Sequence, residues 1–228
     1  MLKAHKDQAS KLLLWGFFGY RGIMVYMAYS NSNSYGKKKR PPIYDETLGE
    51  PPTEDQIVRM KKQAKNVSYY WLGASEKTRK QLFDKIKNKG ITDDVANEVL
   101  DELEADNYLD DERYAENFVY SKMTYDKLGK QAIGFKLRTK GINQEIIDRV
   151  LSEIDEEESE ENARILARKK IYPTRNMEKN KRLQNIAASL ARKGHSGALA
   201  FRVAKEELAA AALEEEAEAA SDLEYFED

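Results

Sequence analysis

The sequence predicts an all-α protein of three tandem three-helix repeats forming an elongated array. Three observations carry that reading. A helical run ends three times in Lys-Gly plus one bulky residue and restarts at a small capping residue: Lys89-Gly90-Ile91-Thr92, Lys140-Gly141-Ile142-Asn143 and Lys193-Gly194-His195-Ser196. The glycines lie 51 and then 53 residues apart, a period typical of stacked supersecondary units. Downstream of the first two turns the same apolar stripe recurs, as Val95, Val99, Leu100 and Leu103 and as Ile146, Val150, Leu151 and Ile154. Its i, i+4, i+5, i+8 spacing fits one face of a helix and not a strand.

Each turn has a physical logic. A glycine just past a helix end adopts the left-handed conformation that stops the helix, and the next residue packs back on the position four before the glycine. Those positions are Ile86, Leu137 and Leu190, opposite Ile91, Ile142 and His195. Thr92, Asn143 and Ser196 then stand where an N-cap accepts a hydrogen bond from the free amides of the next helix. In the third copy Leu199 and Val203 keep the stripe, but Ala204 and Glu207 replace its last two apolar positions, as expected of a terminal repeat that caps a stack.

Helices are predicted near residues 54–72, 75–89 and 92–106, then 110–125, 129–140 and 143–155, then 157–171, 176–193 and 196–220. Pro173 breaks the first pair of the last group. The acid-rich run from Asp155 to Glu161 joins the second and third groups and favours a helix start. The chain accordingly divides into residues 1–52, an apolar leader and a disordered Pro-containing linker; 53–106, 107–155 and 156–208, the three repeats; and 209–228, an acidic tail. Each group has little apolar surface of its own, so neighbours are expected to share cores.

Composition narrows the chemistry. There is no cysteine, which removes disulfides, thiolate metal sites and thiol nucleophiles together and suits a reducing cytoplasm. Two histidines, His5 and His195, are too few for a histidine-built metal centre or a His-based triad. No enzyme activity, cofactor or small-molecule substrate is therefore expected. The net charge of −2 conceals an asymmetry: ten acids and no Lys or Arg lie from Glu206 onward, leaving residues 1–205 at +8. A basic body with an acidic end suits a nucleoprotein partner and a tail that is either solvated or self-screening.

Leu12–Tyr29 is the one strongly apolar segment, followed by the basic run Lys37–Arg40. It is about as long as a membrane span, but Arg21 sits at its centre, a placement that costs about 2.5–3.5 kcal/mol on insertion, and Gly16, Gly19 and Gly22 interrupt it. The preferred reading is translation from Met24 or Met27. A membrane segment ranks second and a signal peptide last.

The run Asn107-Tyr108-Leu109-Asp110-Asp111-Glu112-Arg113-Tyr114-Ala115, followed by Phe118 and Val119, resembles the signature of the RecX family, regulators of the RecA recombinase. The likeness continues through Gly129, Ile133 and Leu137 into Lys140-Gly141-Ile142. Upstream, Tyr70-Trp71-Leu72 and Ser75–Leu82 are similar to the family's opening helix pair; in all it spans about Gln56–Leu208. The residues make local sense by themselves. Asp110 or Asp111 caps the next helix, Tyr114, Phe118 and Val119 give it an apolar face, and Glu112 with Arg113 forms a surface charge pair.

The resemblance implies a protein that binds the RecA filament on single-stranded DNA along its helical groove and restrains filament extension, ATP hydrolysis and strand exchange. The basic residues flanking the repeated turns are the candidate contacts: Lys85, Lys87 and Lys89; Lys136, Arg138 and Lys140; Arg192 and Lys193; with Arg113 from the signature. Lys89, Lys140 and Lys193 recur at one offset, where they also complement the negative end of a helix dipole, worth about 0.3–1 kcal/mol each. Direct contact with DNA phosphates is the related expectation. Two alternatives stand beside this: a helical protein binding DNA without sequence preference and without a recombinase target, and a membrane-associated helical scaffold using Leu12–Tyr29.

Overall fold

The computed structural model describes residues 43–44 and 49–225, with side chains described as far as residue 217. The leader, Met24 and Met27, most of the linker and the last three residues of the tail lie outside the described residues. Within them the chain forms nine α-helices and no strand. They are α1 Glu54–Ala74, α2 Arg79–Lys87, α3 Asp93–Ala105, α4 Asp111–Thr124, α5 Lys130–Thr139, α6 Gln144–Ser152, α7 Glu156–Ile171, α8 Lys179–Arg192 and α9 Gly197–Tyr225. A 3₁₀ turn, Tyr172–Thr174, joins α7 to α8 around Pro173.

Two predicted starts move. The first is α2, which begins at Arg79 because Thr78 and Gln81 close a capping box, each side chain accepting the other's backbone N–H. Thr53 and Gln56 do the same for α1. Both boxes are legible as Thr-x-x-Gln. The second is α8, which begins at Lys179 after the 3₁₀ turn instead of at 176.

The repeated turns form as the sequence dictates. Gly90, Gly141 and Gly194 have φ of +73°, +82° and +88°. In the second and third turns the N–H of Ile142 and of His195 donates to the carbonyls of Leu137 and Leu190, at 3.2 Å each, closing the helix end. All six facing residues, Ile86 with Ile91, Leu137 with Ile142 and Leu190 with His195, are buried. The caps differ. The Asn143 side chain accepts from the Glu145 N–H at 3.0 Å and the Ser196 hydroxyl from the Leu199 N–H at 3.3 Å. Thr92, expected to cap α3, holds the extended N-cap conformation but makes no side-chain cap bond; Asp93 and Asp94 provide negative charge in that first turn instead.

The described residues separate into two compact units, one ending at Asp111 and the other beginning at Glu112. In the first, α1, α2 and α3 enclose Met60, Leu82, Ile86, Ile91, Leu100 and Leu103. Arg79 ties α2 to α3 through Glu104 and Asp101, each at 2.7 Å. Of Asp110 and Asp111, either of which is expected to cap α4, Asp111 accepts the backbone N–H of Arg79 at 2.8 Å and so serves the start of α2.

In the second unit α4–α6 enclose Ala115, Ile133, Leu137, Ile147 and Val150, and α7–α9 enclose Ala163, Ala167, Ile186, Leu190, Val203 and Ala204. Shared cores were expected, but the buried apolar residues form one separate cluster per repeat. The second and third repeats are joined by backbone instead. The N–H groups of Gly129 and Gln131, at the free start of α5, donate to the carbonyls of Lys193 and Gly194, at 3.0 and 3.2 Å. The end of α8 thus supplies the acceptors that α5 lacks, since Gly129 has no side chain to cap with. The contact admits no Cβ: one on Gly129 would lie 2.3 Å from the Gly194 carbonyl oxygen, and one on Gly194 2.3 Å from the backbone of Ala132. His195 completes the joint, its Nε2 donating to the Lys127 carbonyl at 3.1 Å while its buried Nδ1 has no partner.

Candidate functional site

The repeated turns present their cations in unequal settings. In the first unit the Lys85 ammonium lies over the Trp71 ring, 4.4 Å from its centroid, Lys87 pairs with Asp93 at 2.5 Å, and Lys89 is exposed. A cation over an indole face and a cation beside a carboxylate are each partly satisfied within the fold. Of this trio Lys89 stands furthest into solvent.

In the second unit Lys136, Arg138, Arg192 and Lys193 are exposed and Lys140 is half-buried. Lys140 reaches over both signature aromatics, 5.8 Å from the Tyr114 ring and 5.4 Å from the Phe118 ring, which stack on each other at 6.1 Å. Those rings pack against the repeat core, in agreement with their helical spacing. Arg138 turns back along its own helix, its Nε 3.4 Å from the Gly134 carbonyl. Arg113 is exposed on α4, and its neighbour Glu112 pairs with Arg149 at 2.5 Å, a partner that local spacing does not suggest.

The fold brings Lys136 and Lys193 to one place, the loop after α4. Lys193 Nζ donates to the Asp126 carbonyl at 3.4 Å, and the Asp126 carboxylate accepts from Lys122 at 2.6 Å. That hydrogen bond, and then the charges of Lys122, Lys193 and Lys136, hold the Asp126 carboxyl below the usual aspartate range. Three lysines therefore surround one acid at the joint between the second and third repeats, leaving a net positive surface there.

A further basic segment lies outside the repeated turns. Residues 168–182 hold seven Lys or Arg and a single acid, Glu178. Their signal was present as charge density. The segment stands apart from the repeated turns because Pro173, not a Lys-Gly turn, connects the helices there.

Against this geometry the comparisons with known proteins are decisive. The family model for the RecX first three-helix domain matches residues 64–103, and that for the second three-helix domain matches residues 110–151. The regulatory protein RecX of Streptomyces lividans is 36% identical over 170 residues, spanning 75% of this chain and 85% of the relative. The chain belongs to the RecX family. A crystal structure of RecX from Lactobacillus salivarius superimposes with a TM-score of 0.62, at 24% identity, over 66% of this chain and 97% of the other, and agrees in fold. A second crystal structure of a regulatory protein RecX gives 0.60 at 25% identity, over 69% and 79%. The family model boundaries fall within the first two helical groups, so the Lys-Gly turns at 90 and 141 are interior features of RecX domains. Among the described residues no helix is long and apolar enough to cross a membrane. The scaffold reading rested on Leu12–Tyr29, which lies outside them.

Proposed function

We propose that this RecX-family protein regulates RecA, mainly as an inhibitor. It acts in the cytoplasm by binding the RecA filament on single-stranded DNA along its groove and limiting filament extension, ATP hydrolysis and strand exchange. Membership in a family of regulatory proteins carries the reading, and the regular return of a cationic helix end supports it. One turn in one repeat makes a weak contact. The same turn presented again by the next repeat adds to it as avidity, which favours a periodic filament over a free subunit. No step calls for a catalytic group or a cofactor.

The test is single-stranded-DNA-dependent ATP hydrolysis by the cognate RecA, with the full chain titrated in. Inhibition at substoichiometric ratios is expected, relieved by K136E, R138E and R192E together. Lys140 is left intact in that variant because it packs on Tyr114 and Phe118. Unchanged hydrolysis at saturating protein, alongside tight binding to DNA alone, overturns the reading in favour of a DNA-binding protein without a recombinase target.

A further inference from the structure

The corner where α7 turns into α8 lies apart from the Lys-Gly turns and has three properties of its own. It is strongly positive. Lys169 and Lys170 end α7, Lys179 and Lys181 open α8, and all four are exposed without an ion pair among the described residues. The two opening lysines sit at the positive end of the α8 dipole, where a cation opposes helix formation, and Glu178 at the N-cap is the one acid beside them.

The corner is also built. The Arg182 guanidinium donates to the Ile171 carbonyl at 3.0 Å and to the Thr174 hydroxyl at 3.3 Å, while that hydroxyl donates to the Lys170 carbonyl at 2.7 Å. The first turn of α8 is thereby fastened to the last turn of α7, and the four lysines project from a fixed frame. Finally, the corner presents an aromatic ring to solvent. Tyr172 is 70% exposed, with the Arg175 guanidinium stacked 3.8 Å from its ring centroid. Neither side chain is used by the apolar core.

We propose that this corner binds single-stranded nucleic acid, with Lys169, Lys170, Lys179 and Lys181 on the phosphates and the Tyr172–Arg175 pair against a base. A carboxylate-bearing protein surface would be served by the lysines alone. An exposed ring with a planar cation on it matches a nucleobase, which has a π-face to stack, and the surrounding lysines match the strand on which the base is carried.

A second observation bears on the same corner. Glu160 pairs with Arg202, Arg164 with Glu206 and Arg168 with Glu207, so α7 and α9 run parallel at an offset that falls from 42 to 39 residues toward the end of α7. Ile171 and Leu208 belong to one apolar cluster. Continued at those offsets, the end of α7 is level with residues 210–213, and the exposed acids Glu214, Glu215 and Glu216 come next along α9. We infer that this anionic stretch of α9, running on past the end of α7, competes with a polyanion for the same lysines. The proposal does not rest on RecA and is tested without it.

Fluorescence anisotropy of a labelled oligothymidylate with the full chain is the measurement, at several salt concentrations. Reversal of the four lysines to Glu is expected to weaken binding and lower the slope of log affinity against log salt by about 3, since each phosphate contact on a single strand contributes about 0.7. Y172A is expected to weaken binding about tenfold with the slope unchanged, the mark of a lost base stack. E214Q, E215Q and E216Q together are expected to tighten binding at low salt, with the gain fading at high salt as screening sets in. Absence of binding, or binding whose affinity and slope survive the lysine reversal, overturns the site. Displacement of the oligonucleotide by polyglutamate, together with an unaltered affinity in Y172A, overturns the nucleic-acid assignment in favour of an acidic protein surface. Unchanged affinity in the triple Gln variant overturns the competition by α9.

Discussion

The helices that follow the first and third Lys-Gly turns occupy the same place in their repeats, yet they hold their last stripe position by opposite means. In α3 that position is Leu103, 1% exposed within an apolar cluster. In α9 it is Glu207, 6% exposed, and its carboxylate takes Arg168 Nε at 2.8 Å and Arg164 at 3.1 Å. The third core is built largely of alanines, Ala163, Ala167, Ala200 and Ala204, which bury little area. Arg164 and Arg202 extend the pairing to Glu160 and Glu206, so a ladder of charge lies where the first repeat has bulk. A repeat position therefore specifies burial, while the neighbouring helix decides whether hydrocarbon or an ion pair fills it.

Truncating the apolar solution has the largest expected effect. Leu103→Ala should cost about 2–5 kcal/mol in urea denaturation of the full chain, because a fully buried leucine leaves a cavity. Breaking the charged solution comes next. Glu207→Ala removes the buried carboxylate that Arg164 and Arg168 share, leaving Arg164 to Glu160 and Glu206 and Arg168 to Glu161, and should cost about 1.5–3 kcal/mol, the range for hydrogen bonds to charged groups. Glu207→Leu sharpens the contrast by importing the first repeat's residue into the third, and a cost near that of Glu207→Ala would show that the alanine-lined site cannot accept bulk.

Acid separates the two regions with a smaller effect. Hydrogen bonds from Arg202 and Arg164 hold the Glu160 carboxyl at about 2, below its ordinary 4.5. At Glu207, burial pushes the carboxyl up, but the bonds from Arg168 and Arg164 outweigh it and hold it low. A depressed carboxyl stabilises the fold above its unfolded value and loses that contribution as pH falls through the folded one. The third repeat is therefore expected to weaken between pH 4.5 and about 2, as followed by hydrogen exchange in α7 and α9, and E160Q should flatten that loss. His195 gives the smallest and earliest step. Burial lowers its pKa below 6.5, against the raising effect of its bond to the Lys127 carbonyl, so the buried ring resists protonation when the unfolded chain takes up a proton. Stability is expected to fall as pH drops below 6.5, and in H195F this step should vanish from the pH profile of the urea midpoint.

The Lys-Gly turns were legible because every interaction that makes them lies within about six residues. The left-handed glycine, the residue packed behind it and the Asn143 cap all follow from local sterics and hydrogen bonding. The same local logic did not reach the bond from the Arg79 amide to Asp111, 32 residues away, and placed Glu207 among losses of core. Lys85, Lys87 and Lys140 were legible as basic residues on a helix end, but not as cations already engaged by Trp71, Asp93 and the Tyr114–Phe118 pair.

The sequence by itself determined an all-helical chain of three repeats, where each repeat turns, which stripe is buried and that the body is basic with an acidic end. Helical period, capping and glycine conformation act over one or two turns of chain, so they are written in short stretches. Tertiary structure alone decided that the end of α8 supplies the acceptors at the start of α5, that Gly129 and Gly194 leave no room for a Cβ, and that Glu207 on α9 meets Arg164 and Arg168 on α7. Those outcomes join residues about 40 to 68 positions apart, where spacing carries no information and only the packing of one helix on another brings donor to acceptor.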